Sequence, residues 1–385
     1  MKVSRRAVTQ GALGTLALGL ANVSLGNQAQ ASRLFEQADL RGLRLRNRVV
    51  MAPMTRGRAG AARTANALMA EYYGQRAEAG LIVSEATAIS AQGYGWNGSP
   101  GIYTEAHAAG WRLVTDAVHA RGGRIFLQLW HMGRVSHPDF LDGATPVAPS
   151  AIAAAGDTYT PTGKKPYVQP RALTEPEIAD IVRDYARATR LAKQAGFDGV
   201  EIHGANSYLI DQFIRDGSNR RTDRYGGSIE NRLRLLVEVT EAVTKAWSAD
   251  RVGVRLSPNN SYNDMRDSQP VATFTAAAAA LDRFGLAYLH LVEDVVATPQ
   301  NVRTAPAIRK AFKGTLILNS SYDLNSGTAA LAANAADLIA YGKPFISNPD
   351  LVTRYRKGLS LAEPNSKTFY SDGVQGYTDY PATSG

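Results

Sequence analysis

The 385-residue chain contains no cysteine. Disulfides, thiolate metal centres and cysteine nucleophiles are therefore excluded, and the redox compartment is left open. Runs of one charge are missing too. The net charge of +9 is spread over basic residues mixed with acids, so no basic stripe is offered to a nucleic acid. No Gly-x-Ser-x-Gly elbow occurs, which removes the hydrolase arrangement built on it. His131 and His137 have no carboxylate or cysteine at metal-ligand spacing, and no metal is expected. There is no linker, short repeat or low-complexity tract. What remains is 44% hydrophobic and 20% charged, the composition of a globular protein.

Long apolar runs are scarce as well. The nearest to one, in residues 1–31, follows the pair Arg5-Arg6 and ends on Ala29-Gln30-Ala31. Gly11, Gly14 and Gly19, with Thr9, Gln10 and Thr15, make it too polar for a stable membrane anchor. Paired arginines, a weakly apolar middle and a small-x-small end read instead as a cleavable twin-arginine signal peptide. That reading predicts transient handling by the twin-arginine export machinery and a periplasmic or otherwise exported mature chain, residues 32–385. The route carries folded proteins, which suits an enzyme that takes up its cofactor before export.

Eight short β-branched runs recur in the mature chain: Arg48–Pro53, Leu81–Ala86, Ile125–Trp130, Gly199–His203, Val252–Leu256, Tyr288–Val292, Leu316–Asn319 and Asp337–Tyr341. They read as continuous apolar cores rather than alternating patterns, as strands covered on both faces do. Helical patterns separate them. The clearest opens on the capping box Thr174-Glu175-Pro176-Glu177, runs through Ile178, Ile181, Val182, Tyr185, Thr189 and Ala192, and stops at Gly196. Eight strand–helix units predict an α/β chain folded as one (β/α)8 TIM barrel. The stretches Asp139–Pro170 and beyond Ala362 read as loops over one barrel face. A barrel of this kind gathers its site at the C-terminal strand ends. The polar residues there are Thr55, Glu85, Gln128, His131, His203, Arg255, Asn319 and Lys343.

Four blocks make the pattern specific. They are Asn47–Arg56 (NRVVMAPMTR), Gln128-Leu129-Trp130-His131, the run from His203 to Ile210 (HGANSYLI) continuing through Asn219–Asp223 and Tyr225–Ser228, and Asn348-Pro349-Asp350-Leu351. On these residues the chain resembles the old yellow enzyme family, in particular its bacterial ene-reductase and N-ethylmaleimide reductase-like branch, from Leu34 to Pro381. The resemblance implies FMN as cofactor, NADPH or NADH as reductant, and small electrophilic alkenes as substrates. These are α,β-unsaturated carbonyls and maleimides, with nitro compounds or nitrate esters as further oxidants. It also implies roles. His203 and Asn206 donate to the substrate oxygen, where negative charge grows, and Tyr208 gives a proton to carbon. Pro53, Met54, Thr55, Ala86, Gln128 and Arg255 contact the flavin, with Arg255 offsetting the charge of its anionic reduced form. Trp130 and Tyr370 line the substrate pocket, or simply pack.

The chain departs from the family at three places. Thr55 stands where one branch has cysteine. The loop after the seventh strand reads Asn319-Ser320-Ser321, where a glycine is usual, and Gly342-Lys343 replaces the usual Gly-Arg. Ser320, Ser321, Gly342 and Lys343 are still the expected phosphate ligands, but the forked guanidinium is gone. The run Gly93-Tyr94-Gly95-Trp96-Asn97-Gly98 spells a dinucleotide fingerprint, yet Ser99-Pro100-Gly101 follows where a helix should start. It reads as a loop over the mouth. Related amine and dienoyl dehydrogenases carry iron–sulfur clusters on cysteines, which this chain lacks. A non-catalytic or stress-related flavin-binding protein is the alternative that stays open.

Overall fold

The computed structural model describes residues 33–293 and 302–383. The signal-peptide reading of residues 1–31 lies outside them.

Eight parallel strands close a barrel: β1 (Val49–Met51), β2 (Leu81–Val83), β3 (Ile125–Trp130), β4 (Gly199–Gly204), β5 (Val252–Leu256), β6 (Tyr288–Val292), β7 (Leu316–Asn319) and β8 (Leu338–Tyr341). Each pairs with the next, and β8 returns to β1 with Ala340 opposite Val50, so no edge is left open. The apolar runs of β3, β5, β6 and β7 become strands over the predicted bounds. Those of β1 and β2 are shorter than predicted. Pro53 has no N–H to donate to a ladder, and Glu85 turns inward to bind the loop after β1.

The strand period of two sorts the side chains. Val200, Ile202, Val254, Leu289 and Leu318 face outward into one continuous core beneath the helices. Helix α1 (Glu175–Gln194) shows how that layer is fixed. Thr174 and Glu177 form the capping box, Arg171 pairs with Glu177 at 2.7 Å, and Gly196 takes φ +86° just past the end. Its Ile178, Ile181, Tyr185 and Leu191 are buried, each contributing about 1.5–3 kcal/mol by leaving water. At the N-terminal end of the barrel, a two-stranded hairpin (Ala38–Leu40 with Leu43–Leu45) turns on Arg41-Gly42, both at positive φ. Leu40 and Leu45 join Val50, Leu81, Phe126, Tyr288, Ile317 and Leu338 in a separate apolar cluster. The floor is packed shut, and side chains at the other end have room for chemistry. The predicted loop Asp139–Pro170 is partly ordered into a second hairpin, Asp157–Thr160 with Gly163–Pro166.

Candidate active site

Inward positions change character toward the C-terminal ends. Above Phe126 and Tyr288 come Gln128, Glu201 and His290, then His203, Arg255 and Asn319. Strand register sets these neighbours: Glu201 lies opposite Gln128, and His203 and His290 lie on either side of Arg255. Glu201 is fully buried, accepts from Gln128 Nε2 at 2.7 Å and sits 2.8 Å from His290 Nδ1. Arg255 Nη2 donates to Asn319 Oδ1 at 2.7 Å, whose Nδ2 donates to the Ala340 carbonyl at 2.8 Å. Asn319 was expected at a strand end of the mouth, whereas Glu201 and His290 were not foreseen as site residues. Glu201 in particular stands inside an apolar run, and its position two residues before His203 was the available signal.

After His203 the chain turns sharply. Asn206 and Ser207 take φ of 56° and 69°. Left-handed non-glycine residues cost about 1–2 kcal/mol each, so the turn must be held from outside. Asn206 N donates to Ser257 Oγ at 2.7 Å, Ser207 N to Asp211 Oδ2 at 2.9 Å, and Asn263 Nδ2 to Ser207 Oγ at 2.7 Å. Asp211 is itself fixed by Arg215 at 2.8 Å, both buried. Asn260 Nδ2 donates to Asn206 Oδ1 at 3.0 Å. That assigns the amide and leaves its N–H groups without a protein acceptor among the described residues. Tyr208 then caps a short helix, Leu209–Ile214.

The structure thus brings the predicted trio together. The His203 and Tyr208 rings meet edge to face at 4.8 Å, and Tyr208 meets Trp130 at 5.1 Å. Burial, then the charge of Arg255, push the His203 imidazole well below its usual range. It is a neutral hydrogen-bond donor, not a cation. Burial raises the Tyr208 phenol, keeping it protonated.

The expected flavin contacts also converge on the barrel mouth. Thr55, Pro53 and Met54 are half-buried in the loop after β1, and Ala86 packs with Trp130 and Tyr208. The loop after β1 is held from behind by Glu85, which accepts from Arg56 N and Gly57 N at 3.2 Å each. Burial raises the Glu85 carboxyl, whose visible work here is to anchor this loop. Arg255 Nε, His203 Nδ1 and Trp130 Nε1 are buried without a hydrogen-bond partner among the described residues. Such orphans are rare and point to a missing ligand. Ser320 and Ser321 take φ of 108° and 54°, the backbone shape a glycine would adopt at no cost. Gly342 lies against Met54, with Lys343 exposed just after it and unpaired among the described residues. These residues fit a planar, polar cofactor ending in an anion.

Over the mouth lies an aromatic cleft of about 540 Å³, lined by Trp96, Tyr159, Tyr167, Tyr262 and Tyr370 among others. Tyr370 is 59% exposed and meets Trp96 edge-on at 5.2 Å. Its segment is clamped by two buried arginines: Arg56 donates to the carbonyls of Phe369 and Gly376, and Arg58 to those of Thr368 and Phe369. The glycine-rich stretch is a loop here. Gly98, at φ 65°, packs so tightly on the Gly57 backbone that a Cβ would lie 2.2 Å from its carbonyl oxygen. His137 Nδ1 lies 3.2 Å from Asp139 Oδ1, a carboxylate closer than its sequence spacing suggested. Among the described residues no third group joins them.

The family model of the NADH:flavin oxidoreductase / NADH oxidase family matches residues 33–362. 12-Oxophytodienoate reductase 7 of Oryza sativa subsp. japonica is 43% identical over 371 residues, covering 90% of this chain and 94% of that protein. The old yellow enzyme homologue from Zymomonas mobilis superposes with a TM-score of 0.89 at 46% identity, over 90% of this chain and 99% of the other. Morphinone reductase in complex with tetrahydroNAD gives 0.87 at 48% identity, over 91% and 98%.

Proposed function

From the premise that this chain belongs to the NADH:flavin oxidoreductase family of the old yellow enzymes, we propose that it reduces the activated C=C bond of α,β-unsaturated carbonyls and maleimides. The protein is an FMN-dependent oxidoreductase that draws on a nicotinamide reductant. The observation that carries the substrate reading is the convergence of His203, Asn206 and Tyr208 beneath the aromatic cleft, with free donors on Asn206 and a protonated phenol.

FMN, when bound, supplies hydride. Thr55 and Gln128 would hold its ring, Arg255 would offset the charge of its reduced form, and Ser320, Ser321, Gly342 and Lys343 would receive its phosphate. The remaining work falls to protein groups. His203 and Asn206 donate to the carbonyl oxygen of the alkene. These donors are fixed before reaction, His203 by its strand and Asn206 by Asn260 and Ser257. Stabilising charge with preset donors is worth about 10²–10³ in rate per donor. Tyr208 delivers its proton to the carbon beside the carbonyl. A phenol is too weak an acid to protonate the alkene itself, but suffices once negative charge has built up there. Trp96, Trp130 and Tyr370 exclude water and hold the substrate's apolar face.

A purely flavin-binding role is disfavoured by the same trio, since storage needs no oriented amide and no buried proton donor above the cofactor. Anaerobic NADPH or NADH should bleach the yellow protein, and heating should release FMN. Release of FAD, or of no flavin, would overturn the reading.

Residues 1–31 support export. Replacing Arg5 and Arg6 by lysine should leave the chain unprocessed inside the cell, and an unchanged N-terminal mass would point to another route.

A further inference from the structure

Within the barrel, one strand position below His203 and Arg255, Glu201 does something the reaction itself does not require. Its carboxylate is fully buried and takes Gln128 Nε2–H on one oxygen and His290 Nδ1 on the other, at 2.7 and 2.8 Å. Strand register makes the first contact direct, because Glu201 and Gln128 are cross-strand partners on β4 and β3. The second contact spans β5. On β5 the residue opposite Glu201 is Gly253, itself opposite Tyr288 on β6, and a Cβ there would lie 2.3 Å from the Tyr288 ring.

A carboxylate can only accept hydrogen bonds. Its contact with Gln128 therefore fixes which end of that amide faces which way. The nitrogen is bound to Glu201, and no protein donor reaches Gln128 Oε1 among the described residues. His290 is held neutral by burial, so its Nδ1 acts as donor to Glu201, and its Nε2 has no partner among the described residues. Arg255 is the cation facing this carboxylate.

We propose that Glu201 is a positioning residue for the cofactor: it locks Gln128 with its carbonyl oxygen presented to an N–H of the flavin's pyrimidine edge, and its charge moderates Arg255. This rests on the FMN reading above and adds to it a residue that never touches substrate. The charge effect has a sign. Removing the negative charge exposes the reduced, anionic flavin to more of the Arg255 field, so reduction becomes easier.

The experiment uses the full-length holoprotein and its flavin-free form titrated with FMN. Glu201→Gln keeps the shape and removes the charge, Glu201→Asp keeps the charge and shortens the reach, and Gln128→Leu removes the oriented amide. Glu201→Gln should weaken FMN binding about 2- to 10-fold, the loss of one hydrogen bond, raise the flavin's reduction potential and shift its visible spectrum. Glu201→Asp should recover most of the potential. Adding Glu201→Gln to Gln128→Leu should cost no further FMN affinity, since the lock then has nothing to orient. A lower melting temperature with unchanged potential, spectrum and FMN affinity would show a merely structural role and overturn the proposal. Should Glu201→Gln not fold, an unchanged FMN affinity in both Glu201→Asp and Gln128→Leu would overturn it equally. Wild-type flavin content and cyclohexenone turnover test the FMN reading separately.

Discussion

Asn260 donates to the side-chain oxygen of Asn206 at 3.0 Å, and so decides which face of that amide an incoming substrate meets. Without Asn260 the amide can flip and offer its oxygen to a substrate oxygen, a repulsive contact. Asn260→Ala should therefore raise KM for 2-cyclohexenone about 2- to 10-fold, the range of one hydrogen bond, with flavin content unchanged. Steady-state kinetics would show it. Unaltered KM would mean that Ser257 and the backbone turn alone hold Asn206.

The barrel was legible from sequence because its strands are covered on both faces, so that whole runs such as Val252–Leu256 and Tyr288–Val292 read as apolar blocks. The site was legible where polar residues stand at strand ends, as His203 and Arg255 do. Glu201 and His290 were not, because a single polar residue within an apolar block carries no sign of which way it points. Only closure of the barrel makes every second residue face the lumen. Asn260 and Ser257 act across space on a turn some fifty residues earlier, and the Arg56 and Arg58 clamp spans most of the chain. Contacts of that kind depend on loop geometry, which local pattern does not encode.

Acid should destabilise this fold before its carboxylates titrate. Burial lowers His131 to about 3 and pushes His203 and His290 below their usual range. Above the unfolded value near 6.5 both states are neutral and these residues contribute nothing to pH dependence. As pH falls from about 6.5 to 5, the unfolded chain binds protons that the folded one refuses. His131, the most clearly placed of these histidines, then costs about 1.4 kcal/mol per pH unit, and the other two add to the fall in the same direction. Urea midpoints measured at pH 7 and pH 5 should fall accordingly, and His131→Gln should lessen the fall. Equal midpoints at both pH values would contradict the burial argument.

Lys343 stands beside Gly342, across from the positive-φ pair Ser320 and Ser321. If it meets the phosphate, Lys343→Ala loses a charge-assisted bond of about 1.5–3 kcal/mol, or roughly 10- to 100-fold in FMN affinity. Turnover of the fully loaded variant should hardly change. FMN titration of the flavin-free protein checks this, and equal affinity would assign the phosphate to the serine loop alone.

Tyr208→Phe should separate the two halves of the catalytic cycle. Reduction by the nicotinamide needs no protein acid and should proceed at the wild-type rate. Alkene reduction should slow by about 10²–10⁴-fold, the usual loss with a well-placed acid. Quinones, which accept electrons without protonation of carbon, should be spared. If the variant reduces cyclohexenone as fast as wild type, water or another group protonates the carbon.

Alkene reduction at His203 and Asn206 is the reaction on which the proposed function rests. The direct measurement is stopped-flow mixing of the NADPH-reduced protein with 2-cyclohexenone, with product identified, in wild type and in His203→Ala. Wild type should regain its yellow colour rapidly with formation of cyclohexanone, and the variant should be slower by about 10²-fold or more. Reduced protein that stays bleached in the presence of the enone, or a variant as fast as wild type, would contradict the proposed function.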